Sequence, residues 1–168
     1  MPSGLKISTS TFQNCDGTNF TTTGVENNIT NIGNASLNTY SGIGTSFDGN
    51  AISAILDIKG SVKYGESIFS GGFRVRNNIS EKSQTIQVRL QPATATVPIN
   101  DNSKLYATPY TAAKIDYNTG KTNVTTGIFG GVSFKIGKVN GFVEGQIYDF
   151  THIDNSTTGI NAGFSIPI

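Results

Sequence analysis

The sequence has no tryptophan and a single cysteine, histidine and methionine. Because Cys15 is alone, no intramolecular disulfide can form, and a free thiol in a polar segment is the expected state. Because His152 is alone, a histidine-based metal cluster is excluded. Neither a disulfide framework nor a zinc-type centre is therefore expected.

Charge and long apolar runs are also scarce. Only 14% of residues are charged, the formal net charge is +1, and no Lys/Arg block is visible, so electrostatic binding to nucleic acid is not supported. No window holds the roughly 18 consecutive apolar residues of a membrane-spanning helix. The start, MPSGLKISTSTF, lacks the apolar run of a signal peptide. The sequence is therefore expected to be a mature form with an added Met1 or a protein not exported by that route.

Glycine, asparagine, threonine and serine are abundant, and they favour turns and strands. The last segment alternates strictly: Ile160, Ala162, Phe164 and Ile166 fall on one face, and the polar or small residues between them on the other. Period-two alternation is typical of a strand with one apolar and one polar side. The pattern predicts an all-β domain.

Eight strands can be counted from residue 38 onward. They cover about 38–46, 51–63, 67–76, 84–91, 104–116, 123–136, 141–151 and 159–168, with a connection containing Pro92 and Pro98 after the fourth. Residues 1–37 show no clear alternation and are predicted to be a polar, irregular N-terminal extension. The predicted fold is an antiparallel up-and-down β-barrel of about eight strands over residues 38–168.

The direction of the apolar face is left open by the sequence. The polar face carries seven bases and three acids, which would face water in a soluble barrel or line the interior of a membrane barrel. In the second case we expect a charge network in which Asp57 and Glu144 pair with arginines. The predicted members are Asp57, Lys59, Arg74, Arg76, Arg89, Lys114 and Glu144.

Two further features bear on that choice. The apolar face is rich in glycine, alanine and single aliphatic side chains, which would fill a closed core poorly but would suit lipid. Aromatic residues near predicted strand ends could form interfacial girdles; these are Tyr40, Phe47, Tyr64, Tyr106, Tyr117, Phe142 and Phe150.

The closing segments GIFGGVSFKIGKVNGFVEGQIYDF and TTGINAGFSIPI resemble the last hairpins of small eight-stranded outer-membrane β-barrel proteins of the OmpA-like or opacity-type family. The shared features are a strand, a tight turn and a strand, an inward acidic residue at Glu144, and a terminal alternating strand. The resemblance implies a bacterial outer-membrane barrel with a structural, adhesive or small-solute role and no enzymatic chemistry in most members. The chain ends in Ile168, where that family usually ends in Phe or Tyr.

No catalytic, cofactor-binding or metal site is predicted. His152 with Ser156 could only faintly serve as a base and nucleophile, and a loop histidine without a role is expected instead. The leading hypothesis is a non-enzymatic outer-membrane barrel with a structural or surface-interaction role and the lipid bilayer as its partner. The alternatives are a soluble barrel that assembles with its own copies or other structural proteins in a virion or extracellular assembly, and a lipocalin-like binder of an apolar ligand.

Overall fold

The computed structural model describes residues 4–14, 19–65, 67–148 and 157–168 and forms one closed antiparallel barrel. Its ten strands are β1 (Lys6–Asn14), β2 (Asn19–Ile32), β3 (Ala35–Ser46), β4 (Ile52–Tyr64), β5 (Ser67–Asn78), β6 (Ser83–Asn100), β7 (Ser103–Asp116), β8 (Thr122–Ile136), β9 (Val139–Tyr148) and β10 (Thr157–Pro167). Each strand pairs with its neighbours in the chain, and β1 closes the barrel against β10. The predicted all-β, antiparallel, up-and-down barrel is confirmed.

The predictions of about eight strands and of an irregular N-terminal extension are wrong, because the extension contains two of the barrel strands, β1 and β2. Both lie in the part of the chain that showed no apolar alternation, and both pair along their length. The reason is visible in their side chains: Thr9 contacts Thr23 through hydroxyls 3.0 Å apart, and Thr11 contacts Thr21 at 3.1 Å. Threonine suits a pleated surface as well as an aliphatic residue does, but it leaves no hydrophobic signal in the sequence. The barrel therefore has ten strands, not about eight.

The predicted connection containing Pro92 and Pro98 is also part of the sheet. It belongs to the 18-residue strand β6, whose pairing with β7 shifts register between Leu90 and Ala95. Proline lacks a backbone N–H and is tolerated in sheets at irregular points such as a bulge. A second register shift lies between Pro98 and Asn100, so each proline accompanies an irregularity in one long strand.

The connections differ in length at the two ends of the barrel. Those at the end where β1 begins and β10 ends span two residues each, at 33–34, 65–66, 101–102 and 137–138. Those at the opposite end span four to eight residues, at 15–18, 47–51, 79–82, 117–121 and 149–156. We call these the turn end and the loop end. Outer-membrane barrels have this alternation of short turns on one side and longer loops on the other.

The apolar face points outward. Among the described residues, the buried hydrophobic side chains are only Ile55, Tyr110 and Ala112, whereas large apolar side chains are exposed on nearly every strand. The exposed set includes Leu56, Ile58, Phe69, Phe73, Val88, Leu90, Leu105, Val143, Ile147, Ile160, Phe164 and Ile166. Such a continuous apolar surface is far larger than monomeric soluble proteins normally expose.

None of the described segments is a helix long and apolar enough to cross a bilayer.

Three of the predicted girdle residues do lie exposed at the rims: Tyr64 at the turn end, and Phe47 and Tyr117 at the loop end. Tyr40 and Phe142, by contrast, line the interior. Tyr106 also points inward, as its hydrogen bond described below shows, and Phe150 lies outside the described residues.

Inside the barrel, aromatic rings lie over glycines of neighbouring strands. A Cβ added at Gly44 of β3 would lie 2.2 Å from Cε1 of Phe20 of β2, and one added at Gly24 of β2 would lie 2.8 Å from Cζ of Tyr40 of β3. Because real Cβ atoms essentially never approach this closely, a side chain at either position would push the ring away, and glycine lets the rings pack close to the wall. The glycines thereby leave space in the middle of the barrel.

Candidate functional site

The interior of the barrel, which we call the lumen, is polar and carries most of the predicted charge network. Asp57 of β4 and Arg74 of β5 face each other across the strand pair. Nε and Nη2 of Arg74 donate to Oδ2 of Asp57 at 3.0 and 2.5 Å. Both side chains are about one-quarter to one-third exposed, so the pair is in contact with the water-accessible lumen.

Glu144 of β9 is the second charged centre, and it is only 8% exposed. Its carboxylate accepts hydrogen bonds from the Tyr106 hydroxyl at 2.7 Å, from Gln146 Nε2 at 2.7 Å and from Asn161 Nδ2 at 2.9 Å. Three donors satisfy a buried carboxylate without requiring an adjacent base. Glu144 is therefore fixed in position by neutral donors.

Strand register explains how Tyr106 reaches Glu144 from two strands away. Gly131 of β8 lies between them, opposite Tyr106 on one side and Glu144 on the other. A Cβ at Gly131 would lie 2.0 Å from the Val143 carbonyl oxygen and 2.6 Å from the Glu144 Cα. Glycine is therefore required by the close approach of β9, and its missing side chain leaves room for the tyrosine to cross β8.

Arg76 and Arg89 lie against aromatic rings. The Arg76 guanidinium lies 4.6 Å from the ring centroid of Phe20, and that of Arg89 lies 5.0 Å from the centroid of Tyr110. Cations over an aromatic face are attracted by its quadrupole, and the flat packing restricts the long side chains. Both arginines also line the lumen.

The remaining predicted members lie apart from these contacts. Lys59 lines a small cavity of about 120 Å³ together with Asp57, Arg74 and Arg89. Lys114 is exposed near the loop-end terminus of β7 and is not among the described residues that line the cavities. The structure thus brings six of the seven residues to the lumen wall and leaves Lys114 at its rim.

A larger cavity of about 860 Å³ occupies the lumen. Serine, threonine, asparagine and aromatic side chains line it, with Glu26, Arg74, Arg76, Arg89 and Glu144 as its charged residues. An eight-stranded barrel has an interior just wide enough for its own side chains to fill. Ten strands and inward glycines leave an open space.

The sequence reasoning missed several of these residues. Phe20 and Glu26 lie in the segment predicted to be an irregular extension, and Tyr106 is among the predicted girdle residues. The alternation signal places Gln146 and Asn161 on the polar face, but it does not show that they meet at one carboxylate. That information is in the strand register, which pairs Asn161 directly with Glu144.

The described residues hold no group of three or more His, Cys, Asp or Glu side chains that could bind a metal. His152 and Ser156, considered above as a base and nucleophile, lie outside the described residues.

A closed, ten-stranded, up-and-down barrel with an apolar outside and a polar inside is the class of protein that this fold defines. No family model matches the chain. No curated protein matches it. The OmpA-like or opacity-type family therefore stays a prediction from the sequence, and the ten strands differ from the eight of that resemblance.

Solved structures with a similar fold include membrane β-barrels. A structure from work on the in-meso crystallization of membrane proteins has a TM-score of 0.55 at 7% identity, covering 99% of this chain and 84% of that chain. The KdgM porin in complex with disordered oligogalacturonate has a TM-score of 0.48 at 9% identity, covering 97% of this chain and 99% of that one. OmpTdeltaL8, an outer membrane protein of Vibrio cholerae, has a TM-score of 0.45 at 14% identity over 89% of this chain.

This chain covers 54% of that Vibrio cholerae structure, little more than half its length. At these identities the likeness extends to the fold alone.

Proposed function

We propose that this protein is a non-enzymatic outer-membrane-type β-barrel that spans the bilayer with its ten strands and has a structural or surface-interaction role. The observation that carries the proposal is the inside-out polarity: aliphatic and aromatic side chains face outward while charges and amides face the lumen. In water this arrangement would expose the apolar surface and bury the polar one, whereas in lipid each face meets the environment it prefers.

The two ends of the barrel support the same proposal. Exposed aromatics lie at both rims, where amphipathic rings favour the membrane interface. The uniform two-residue turns at one end and the longer connections at the other match the topology of transmembrane barrels. The longer connections would then form the surface available to partners.

The rival hypotheses require a different distribution of side chains. A soluble assembly component or a lipocalin-like binder would place its apolar residues inside. The lumen described above contains an ion pair, a hydrogen-bonded carboxylate and two further arginines, and is poorly suited to an apolar ligand.

The test is folding in plain buffer against folding in detergent or lipid vesicles, followed by circular dichroism. We expect the protein to form stable β-structure in detergent or lipid and not in plain buffer. A folded, dispersed protein in plain buffer would overturn the proposal and favour the soluble assembly.

Topology can be tested in the same vesicles or in cells with single-cysteine variants in a Cys15→Ser background. Asp48→Cys marks the loop end and Asn34→Cys marks the turn end. A membrane-impermeant thiol reagent should label one variant from outside and the other only after the membrane is opened. Equal labelling of both from outside would contradict a spanning barrel.

A further inference from the structure

The larger cavity is lined by residues that lie near both ends of the barrel strands. At the loop end its wall includes Ser46, the last residue of β3, and Ala51 in the following connection. At the turn end its wall includes Asn140 and Ser165, which face each other next to the turn at 137–138. The lining of this space therefore includes residues near both ends of the described strands.

The charges on this lining are unevenly placed. Arg74 and Arg76 of β5 and Arg89 of β6 lie on adjacent strands. Glu26 of β2 and Glu144 of β9 lie on the other side of the closed strand order. We call the β5–β6 side the arginine wall.

The balance of charge on the lining is positive. The charged residues of the two cavities comprise four bases (Lys59, Arg74, Arg76 and Arg89) and three acids (Glu26, Asp57 and Glu144), a net of one positive charge. Asp57 is already engaged by Arg74, and Glu144 is held by its neutral donors.

The positions of the arginines are restricted as well. The rings of Phe20 and Tyr110 hold the guanidinium groups of Arg76 and Arg89 against the wall. Arginine keeps its charge at all accessible pH values, and its planar group accepts both an aromatic face and an anion. In a narrow space with low-dielectric walls, such charges act on passing ions more strongly than they would at a free surface.

We propose that the lumen is a narrow, anion-selective passage in which small anions bind along the arginine wall. This inference rests on the proposed function, because a passage has meaning only if the barrel spans a membrane. The ligand class is small inorganic or carboxylate anions, and chloride serves as the probe.

The experiment is a planar-bilayer recording of the folded, full-length protein under a potassium chloride gradient. We expect a small conductance whose zero-current potential has the sign of chloride preference. The preference should weaken as salt rises, since the screening length falls from about 10 Å at 0.1 M to about 3 Å at 1 M.

The decisive variant is the double substitution Arg76→Gln with Arg89→Gln. It changes the net charge of the lining from one positive to one negative, so the sign of the zero-current potential should invert toward potassium. The matched control is Lys82→Gln with Lys121→Gln, which removes the same charge from the loop-end connections and should leave the sign unchanged. Arg76→Lys with Arg89→Lys retains the charge and should retain chloride preference.

Each contrary outcome has a distinct meaning. Potassium preference in the unaltered protein, or no conductance from protein shown to be folded in the same lipid, would overturn the anion passage while leaving the membrane barrel intact. An unchanged sign in the arginine double variant would overturn the role of the arginine wall. Failure to insert into lipid, measured by vesicle flotation before any recording, would overturn the proposed function itself and the passage with it.

Discussion

The apolar exterior predicts that the cost of a surface charge depends on its depth along the barrel. Val143 is 49% exposed, lies midway along β9, and is flanked on its outer face by Val132 of β8 and Ala162 of β10. Ile136 is 70% exposed but is the last residue of β8, next to a two-residue turn. Arginine at the two positions therefore enters the same face at different depths.

The expected magnitudes follow from the environment of each site. Arginine at the lipid-facing midplane of a membrane barrel costs about 2–4 kcal/mol, and near the interface about 0–1 kcal/mol. We therefore expect Val143→Arg to lower the free energy of unfolding by about 2–4 kcal/mol and Ile136→Arg by about 0–1 kcal/mol. The cost is small at the rim because the long arginine side chain can extend from there and place its guanidinium group in water.

The assay is reversible denaturant unfolding in lipid vesicles, followed by far-ultraviolet circular dichroism because the chain has no tryptophan. Val143→Leu is the control for packing and should change stability little. A difference between the two arginine variants of less than about 0.5 kcal/mol, the usual effect of a water-exposed substitution, would refute a lipid-facing exterior.

Three further outcomes can be measured on the folded protein. Asp57→Asn leaves Arg74 without its carboxylate partner in a partly hydrated lumen and should lower the free energy of unfolding by about 1 kcal/mol. The same unfolding assay measures this change, and no loss of stability would show that the ion pair contributes nothing. Gly44→Ala places a methyl group against the Phe20 ring of β2 and should lower the free energy of unfolding by about 1–3 kcal/mol. Gly60→Ala has open space around the added Cβ and should not lower it. Equal stabilities of the two variants would contradict this packing. Asp48 accepts hydrogen bonds from the Ser46 hydroxyl and from the backbone and side chain of Asn50, and these bonds lower the pKa of its carboxyl group. The contribution of Asp48 to loop order should therefore be present above its unfolded pKa and be lost as the pH falls through the lower folded pKa. NMR can follow this titration, and an unshifted midpoint would contradict the expectation.

The alternation of β10 and the polar turns between later segments were enough to predict an antiparallel barrel, because the period-two signal depends only on neighbouring residues along one strand. The same local signal failed for β1 and β2. Their outward threonines satisfy each other by hydrogen bonds between strands, and a contact between strands has no periodicity within either one.

The direction of the apolar face was decided by the closure of the sheet. Alternation states that two faces differ, but it does not state which one is enclosed. Ten paired strands with β1 against β10 enclose Glu144 and Arg74 and leave Val143 and Leu56 outside.

The sequence predicted most of the charged residues that face the lumen, and the structure decided which of them contact one another. The inward-facing charges could be proposed from their positions on the polar face of each strand. The pairing of Asp57 with Arg74, and the meeting of Tyr106, Gln146 and Asn161 at Glu144, depend on register between strands and on the missing side chain of Gly131. The sequence by itself determined most of the strands from β3 onward and their two faces. Only the tertiary structure decided which charges meet, because those contacts join residues that are distant in the chain.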